Sequence, residues 1–178
     1  MPEAKVKGFL FHYATDYVEK KWGNAGLERI GMKKDRYIFE KWYPMDEFLD
    51  LLTAIEGEWG KVDPPYPYKI AYSTMTHDVR WPSVFRGKDP RDLFLETKYQ
   101  NTEYVCGDFE AWRDGEFNVV TRARLWIRDH EKARLFAQFY YGQVMAVLKM
   151  TGKKGDIVMD LKEEDGDLVV QYNTFIDE

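Results

Sequence analysis

Residues 104–127, "YVCGDFEAWRDGEFNVVTRARLWI", decide the fold, because here the chain changes from helical to alternating periodicity. Apolar residues recur at every second position on both sides of Asp114-Gly115, a pair typical of a tight hairpin turn. The second strand places Val119 and Thr121 on one face, with charged residues on the other. Such alternation indicates two antiparallel strands with one covered face.

A long helix and a second hairpin follow this stretch. Apolar residues spaced by three and four positions predict a helix from Glu131 to about Met150, which Thr151 and Gly152 end. The segments "DIVMDLK" and "DLVVQYNTF", joined by "EEDG", predict two further strands. The order strand, strand, helix, strand, strand predicts an α+β fold, in which a ββαββ unit forms a four-stranded antiparallel sheet covered by the long helix.

The preceding half of the chain is predicted to be mainly helical. Thr15 is interpreted as an N-cap and Gly31 as a C-terminal end, with Gly23 either separating two short helices or interrupting one. Further helices are predicted at residues 66–77 and 90–100, joined by the loop "WPSVFRGKDP". The segment "DRYIFEKW" is predicted to be extended.

The stretch "WYPMDEFLDLLTAIE" predicts a helix start. Pro44 suits the first helical position, and Asp46 and Glu47 suit the first turn, where the helix dipole favours negative charge. The apolar residues that follow form one buried stripe, made of Met45, Phe48, Leu49, Leu52, Ile55 and Trp59. Trp42 and Tyr43 have no role in this helix and are therefore candidates for a ligand-binding site.

Length and composition limit the classes of protein to which the chain can belong. At 178 residues the chain is predicted to form a single domain, 1–178, with a mainly helical part at 1–103 and a sheet-and-helix part at 104–178. The net charge of -5, from 31 acidic and 26 basic residues, argues against a nucleic-acid partner, which needs clustered cations. No apolar run approaches the roughly 20 residues of a membrane span. A single cysteine excludes an internal disulfide and favours a cytoplasmic protein.

Three features together resemble known families: "VKGFLFHYATDYVEKKWG", "KWYPMDEFLDLL" and the ββαββ half, whose helix ends in "LKMTG". They are similar to a bacterial family best known from myxobacterial paralogues. More distantly they resemble the H-NOX haem sensors and the 4-vinyl-reductase-type domains, which share this half with TRAPP-type trafficking subunits. The resemblance implies a ligand-sensing or interaction domain with a pocket between the helical part and the sheet.

The sequence lacks residues by which these families bind haem or zinc. The H-NOX resemblance implies a proximal histidine and a Tyr-x-Ser-x-Arg signature, whereas the corresponding region here is "VVTRARLW", with Arg122 and Arg124 but no Tyr-x-Ser. His77, at a predicted helix end, is interpreted as a dipole partner rather than a haem ligand. Zinc-binding 4-vinyl-reductase-type domains imply clustered cysteines, and Cys106 stands alone. No cofactor is therefore expected, neither haem nor zinc.

Few residues qualify for catalysis. Cys106 is predicted to point outward beside Asp108, and neighbouring carboxylates raise the pKa of a thiol and leave it unreactive. Metal binding by His12, His77 and His130 would require three distant segments to converge, and His130 is a better helix start than ligand. No residue is therefore predicted to be catalytic or to bind a metal.

A row of arginines with two tryptophans marks the outer face of the predicted sheet. Trp112, Arg122, Arg124 and Trp126 all fall at outward positions. One interpretation is cross-strand pairing with acidic residues on a solvated face. The other is an anion-binding or partner-binding surface, because exposed tryptophans beside arginines are typical interface anchors. The second interpretation predicts a homodimer.

Two functions remain compatible with the sequence. The favoured one is a non-enzymatic ligand-sensing or interaction module that binds a small apolar ligand between the N-terminal helices and the long helix. Its candidate ligand-binding residues are Trp42, Tyr43, Phe136, Phe139, Tyr140 and Gln143. The alternative is a hydrolase- or cyclase-like enzyme that uses a buried acid in the same cavity, although strand alternation predicts no carboxylate or histidine on the inward faces. Gly142, within that helix, indicates that another element or a ligand approaches its backbone closely.

Overall fold

Six helices and seven strands make up the described part of the chain, residues 3–96 and 103–177 of this computed structural model. The helices are α1 (Gly8–Arg29), α2 (Met45–Trp59), α3 (Tyr66–His77), α4 (Arg80–Phe85), α5 (Pro90–Leu95) and α6 (His130–Thr151). The strands are β1 (Lys5–Lys7), β2 (Trp42–Pro44), β3 (Tyr104–Val105), β4 (Gly107–Arg113), β5 (Asn118–Leu125), β6 (Gly155–Glu164) and β7 (Asp167–Ile176). None of these helices is long and apolar enough to cross a membrane.

Strands β4 to β7 form the predicted four-stranded antiparallel sheet, in the order β4-β5-β7-β6. α6 packs on this sheet, and the Tyr172 hydroxyl of β7 donates a hydrogen bond to the Ala137 carbonyl of α6 at 2.9 Å. The N-cap of α6, Asp129, accepts from the Lys132 backbone N–H at 2.9 Å, and Gly152 ends the helix in the left-handed conformation. The predicted α+β class and the helix-covered sheet are confirmed.

A second sheet joins the two halves of the chain, and sequence periodicity does not reveal it. β1 lies between β2 and β3, so that Val6 pairs with Tyr43 on one side and with Tyr104 on the other. The predicted strand from residue 104 to 113 is therefore two strands in two different sheets. Cys106, predicted to point outward, is fully buried at the crossing between them. That prediction is wrong because a two-residue alternation does not carry across a change of sheet.

The N-terminal helix begins earlier than predicted. α1 starts at Gly8, directly after β1, and Thr15 lies inside it, so the N-cap interpretation of Thr15 is wrong. Gly23, with φ 69° and ψ -170°, is not helical and divides α1 into two helical segments, so the predicted break at this residue is confirmed. A side chain at Gly8 would place its Cβ 2.0 Å from the Ile38 carbonyl oxygen, so the start of α1 requires glycine there.

Two predicted segments have a different structure. The predicted loop "WPSVFRGKDP" contains most of α4, and the Asp78 carboxylate accepts from the Arg80 backbone N–H at 3.0 Å where that helix starts. In "DRYIFEKW", predicted to be extended, residues Lys34–Arg36 form a 3-10 turn that reaches into its start, and Tyr37 stacks on Phe11 with ring centroids 3.7 Å apart. Aromatic packing, rather than strand pairing, therefore fixes this connection.

Helix α2 confirms the predicted start and stripe, with Pro44 one position earlier, at the N-cap. The stripe residues Met45 to Ile55 are buried, while Trp59 is half-buried and stacks on Trp22 with ring centroids 3.8 Å apart. α5 ends at Leu95, and the rest of its predicted length, residues 97–100, lies outside the described residues. One continuous cluster of buried apolar side chains draws on all six helices and on both sheets.

Helix α3 approaches α6 closely at Gly142. A Cβ built on Gly142 would lie 2.4 Å from the Tyr68 carbonyl oxygen and 3.0 Å from the Ala71 Cβ. The predicted close approach is confirmed, and the approaching element is a helix. This contact fixes the distance between α3 and α6, and neighbouring residues of both helices line a cavity.

Candidate ligand-binding cavity

A cavity lies among α3, α4, α5, α6 and β3. It encloses about 80 Å³, and its volume is about 580 Å³ when the part open to solvent is counted. The enclosed part is smaller than the roughly 300–1,000 Å³ of drug-sized ligand sites, so a ligand of that size would also occupy the open part. The described lining is mainly apolar and aromatic, with Met75, Trp81, Phe85, Phe94, Tyr140 and Val144 among its residues. Such a lining suits a ligand with a substantial apolar body.

One face of α6 supplies a wall of this cavity. Gln143 and Val144 follow Tyr140 by three and four residues and precede Val147 by four and three, which places all four on the same side of the helix. Tyr140 and Gln143 were both candidate ligand-binding residues from the sequence. Of the other candidates on this helix, Phe136 and Phe139 are fully buried, and Phe139 packs edge-on against Phe48 at 5.1 Å.

The two remaining candidates, Trp42 and Tyr43, lie on β2, outside the described lining of the cavity. The Tyr43 hydroxyl accepts a hydrogen bond from the Ile38 backbone N–H at 2.8 Å. Trp42 is partly exposed, with the Lys7 ammonium 5.6 Å from the centroid of its ring. In this structure both residues hold the connection between α1 and α2 in place.

A carboxyl group stands in the wall of the cavity. Glu103 precedes β3, is 7% exposed, and its backbone carbonyl accepts from the Lys7 N–H at 2.8 Å. Its Oε2 accepts a hydrogen bond from Gln143 Nε2 at 2.5 Å. The Tyr104 hydroxyl donates to Gln143 Oε1 at 3.1 Å, so the amide of Gln143 is fixed from both ends. Glu103, Gln143 and Tyr104 thus form a short buried polar chain along an apolar cavity.

Burial controls the charge of this carboxyl. It raises the pKa of Glu103 from 4.5 to about 7, and the hydrogen bond from Gln143 and the charge of Arg80 oppose the rise. The described lining contains two acidic residues, Glu103 and the exposed Glu96, and no lysine, arginine or histidine. Near neutral pH both the protonated and the ionised form of the Glu103 carboxyl are therefore populated.

The prediction that no carboxylate or histidine faces the interior is wrong at Glu103. It rested on strand alternation, which assigns faces only within a strand, and Glu103 lies one residue before β3. Pairing of β3 with β1 draws this residue into the interior. The available signal was an acidic residue directly before the apolar run "YVC", where a charged side chain borders a buried segment.

A polar cluster holds another wall of the cavity in place. The Tyr13 hydroxyl donates to Asp78 Oδ2 at 2.5 Å and accepts from Trp81 Nε1 at 2.8 Å. Burial opposes the charge of Asp78, but hydrogen bonds from Arg80 and Tyr13 outweigh it and lower the pKa of the carboxyl to about 2. The Arg80 guanidinium also lies over the Phe39 ring, 4.6 Å from its centroid. The cluster ties α1 to the start of α4 and orients Trp81 toward the cavity.

The predicted metal and nucleophile candidates do not converge. His12 and His77 line a separate cleft beside α1 and α3, where their ring nitrogens bond the Tyr37 and Ser73 carbonyls at 2.8 and 2.6 Å. His130 begins α6, as predicted. Among the described residues no group of three His, Cys, Asp or Glu side chains could hold a metal. Burial raises the pKa of the Cys106 thiol, whereas the sequence interpretation attributed the rise to carboxylates.

Several ion pairs connect the strands on the outer face of the four-stranded sheet. Arg122 pairs with Glu164 and lies 3.6 Å from Glu110, while Arg124 pairs with Asp167 at 2.7 Å. Cross-strand pairing of these arginines is thus present. Exposed apolar side chains lie on the same face, namely Trp112, which is 40% exposed, Val158 and Phe175. Trp126, directly after β5, is half-buried, and its Nε1–H donates a hydrogen bond to Asp108 Oδ2 at 3.4 Å.

Comparison with known proteins identifies the fold. No protein-family model matches the sequence, and no curated protein does. The chain is similar to the crystal structure of an oxygen-binding H-NOX domain related to soluble guanylate cyclases, with 13% identity, a TM-score of 0.70, and 97% of this chain and 95% of that chain covered. It is also similar to an unliganded Fe(II) H-NOX mutant from K. algicida, with 14% identity, a TM-score of 0.68 and 97% of each chain covered. A structure from work on haem distortion in the H-NOX family matches with 13% identity, a TM-score of 0.67, and 97% and 95% covered.

This likeness corrects the cofactor expectation. The prediction of no cofactor, with haem excluded, is wrong, because the structures that share this fold include an Fe(II) H-NOX protein and one studied for haem distortion. In this chain the described cavity lining offers an iron the carboxylates of Glu96 and Glu103, the hydroxyls of Tyr104 and Tyr140 and the thioether of Met75, but no histidine or cysteine. His77, the residue weighed as a haem ligand, lies in the cleft beside α1. What the likeness establishes for this chain is the H-NOX fold.

Proposed function

We propose that the chain is a ligand-sensing module that binds a small, largely apolar molecule in the cavity among α3, α4, α5, α6 and β3. The observation that carries this proposal is a concave, aromatic-lined space with a few convergent polar groups, Glu103, Tyr104 and Gln143, at one wall. The likeness to an oxygen-binding H-NOX domain supports sensing rather than turnover. We also propose that the protein is cytoplasmic, as the sequence predicts, and that it is related to the myxobacterial paralogues.

A ligand in this cavity would contact structural elements on two opposite sides. α3 to α5 lie on one side of the cavity, and α6 and β3 lie on the other. α6 packs on the four-stranded sheet, and β3 is a strand of the three-stranded sheet. A ligand that contacts both sides stabilises one position of α4 and α5 relative to α6 over the others, while the Gly142 contact keeps α3 against α6. Such a difference in affinity between arrangements is what sensing requires.

Native mass spectrometry of the purified protein tests this function. The expected result is a bound small molecule, haem or another, that is retained by the wild type and lost from Val144→Phe, which fills the cavity from α6. Val158→Phe is the matched control, because the same change is made at a valine that is 57% exposed on the outer sheet face. Equal retention in both variants would place the bound molecule elsewhere, and a protein that holds none and takes up no added small molecule would refute the proposal.

A hydrolase- or cyclase-like function is a second candidate, because one observation favours it. Glu103 is the buried acid that such a reaction would need, with a pKa of about 7 that suits proton transfer near neutral pH. The other carboxyl group of the described lining belongs to Glu96, which is exposed, so that lining holds no second buried carboxyl and no histidine. This alternative predicts turnover of a candidate substrate that Glu103→Gln abolishes while binding persists.

We also propose self-association through the outer sheet face. The exposed apolar side chains Trp112, Val158 and Phe175 support it, since exposed apolar area favours association. Arg122, Arg124 and Trp126 stay part of this proposed surface. The ion pairs that Arg122 and Arg124 make within the sheet would hold these arginines in fixed positions on the surface.

A further inference from the structure

We propose that the ligand of the cavity is a small organic cation, whose ammonium group binds Glu103 and whose apolar body packs among the aromatic walls. This inference rests on the proposed ligand-sensing function and adds the chemical class of the ligand. Three features of the described residues support it: an available carboxylate oxygen, a missing counter-charge and an aromatic enclosure.

The first feature is the second oxygen of the Glu103 carboxyl. The one hydrogen bond that a described side chain gives this carboxyl goes from Gln143 to Oε2. Glu103 lines the cavity, so Oε1 can accept from a donor placed there. Gln143 cannot turn away to serve another partner without breaking its bond with the Tyr104 hydroxyl. The carboxyl is therefore held in position before a ligand arrives.

The second feature is the absence of a cation in the described lining. A buried carboxylate without a partner is costly, and nearby positive charge is what normally stabilises it. Arg80, the nearby positive charge that acts on Glu103, is already engaged, because its Nε donates to both oxygens of Asp78 at 2.9 Å. A ligand ammonium would supply the counter-charge that the lining residues in the described ranges do not.

The third feature is the enclosure around the carboxyl. Aromatic rings dominate the walls, with Trp81, Phe85, Phe94, Tyr104 and Tyr140 all in the lining. The faces of such rings attract a cation, most strongly where water is excluded. The same rings offer apolar contact to the body of the ligand. A neutral alcohol would gain this apolar contact but only a weaker hydrogen bond, since charge-assisted bonds are roughly twice as strong as neutral ones.

The test compares two probes of nearly equal shape, 2-phenylethylamine and 2-phenylethanol, in calorimetric titrations at pH 8. The wild type, Glu103→Gln and Val144→Phe are titrated as full chains, with circular dichroism to verify that each is folded. Glu103→Gln keeps the shape of the side chain and removes its charge, so it isolates the ammonium contact. We expect the wild type to bind the amine at least tenfold more tightly than the alcohol, Glu103→Gln to bind the two about equally, and Val144→Phe to bind neither.

The possible failures are distinguishable. Equal binding of amine and alcohol by the wild type, lost in Val144→Phe, would overturn the cation inference and leave the cavity as the ligand site. A preference for the amine that survives in Glu103→Gln would likewise overturn the role of this carboxyl. Binding of neither probe by the wild type would overturn the inference, and native mass spectrometry of the same sample then decides on its own whether the cavity holds another ligand.

Discussion

At the scale of single residues, Glu103 couples the stability of the fold to pH. The pKa of its carboxyl is about 7 in the folded protein and 4.5 ordinarily, so between these values the folded chain holds the proton more tightly than the unfolded chain. The free energy of unfolding should therefore fall as the pH rises from 4.5 to 7, by on the order of 3 kcal/mol in full. Urea denaturation of the wild type and Glu103→Gln at pH 5 and pH 8 measures this.

The Glu103→Gln variant should lose that slope and be more stable than the wild type at pH 8. Glu116→Gln, in the exposed turn between β4 and β5, is the control and should keep the slope of the wild type. Parallel pH curves for the wild type and Glu103→Gln would show that the carboxyl is not buried in the ligand-free protein.

At the scale of elements, the contact between α3 and α6 depends on Gly142. Gly142→Ala places a Cβ 2.4 Å from the Tyr68 carbonyl oxygen, so the two helices must separate. We expect a loss of about 1–3 kcal/mol in the free energy of unfolding, although alanine is the better helix former. Gly57→Ala is the matched control in α2, where a Cβ meets no atom within 4 Å, and it should stabilise by up to about 1 kcal/mol. A neutral or stabilising Gly142→Ala would contradict the packing described.

Some helices and strands could be predicted from the sequence, and others could not. α2, α6 and the two hairpins were predictable, because each has a strong periodicity and a turn or cap signal of its own. The small sheet was not, since strands of two or three residues have no measurable period and pair across long stretches of chain. Glu103 was missed for the same reason, whereas Tyr140 and Gln143 could be found because they lie on a long periodic helix.

At the scale of the whole molecule, the outer face of the four-stranded sheet makes the fold a candidate for self-association. Trp112→Glu places a charge among the exposed apolar side chains of that face. If copies associate there, sedimentation velocity should show a dimer for the wild type and a monomer for Trp112→Glu, with unchanged circular dichroism. Ile38→Glu, at a residue that is exposed in the N-terminal half, should remain a dimer. A monomeric wild type would rule out the proposed association.

We expect the ligand to bind in the cavity lined by Trp81, Glu103 and Val144, rather than in the cleft beside α1. A crystal structure of the protein with 2-phenylethylamine tests this most directly. We expect density for the probe between Trp81 and Val144, with its nitrogen within hydrogen-bond distance of Glu103 Oε1. Density in the cleft lined by His12 and His77, or a cavity closed by its own side chains, would contradict it.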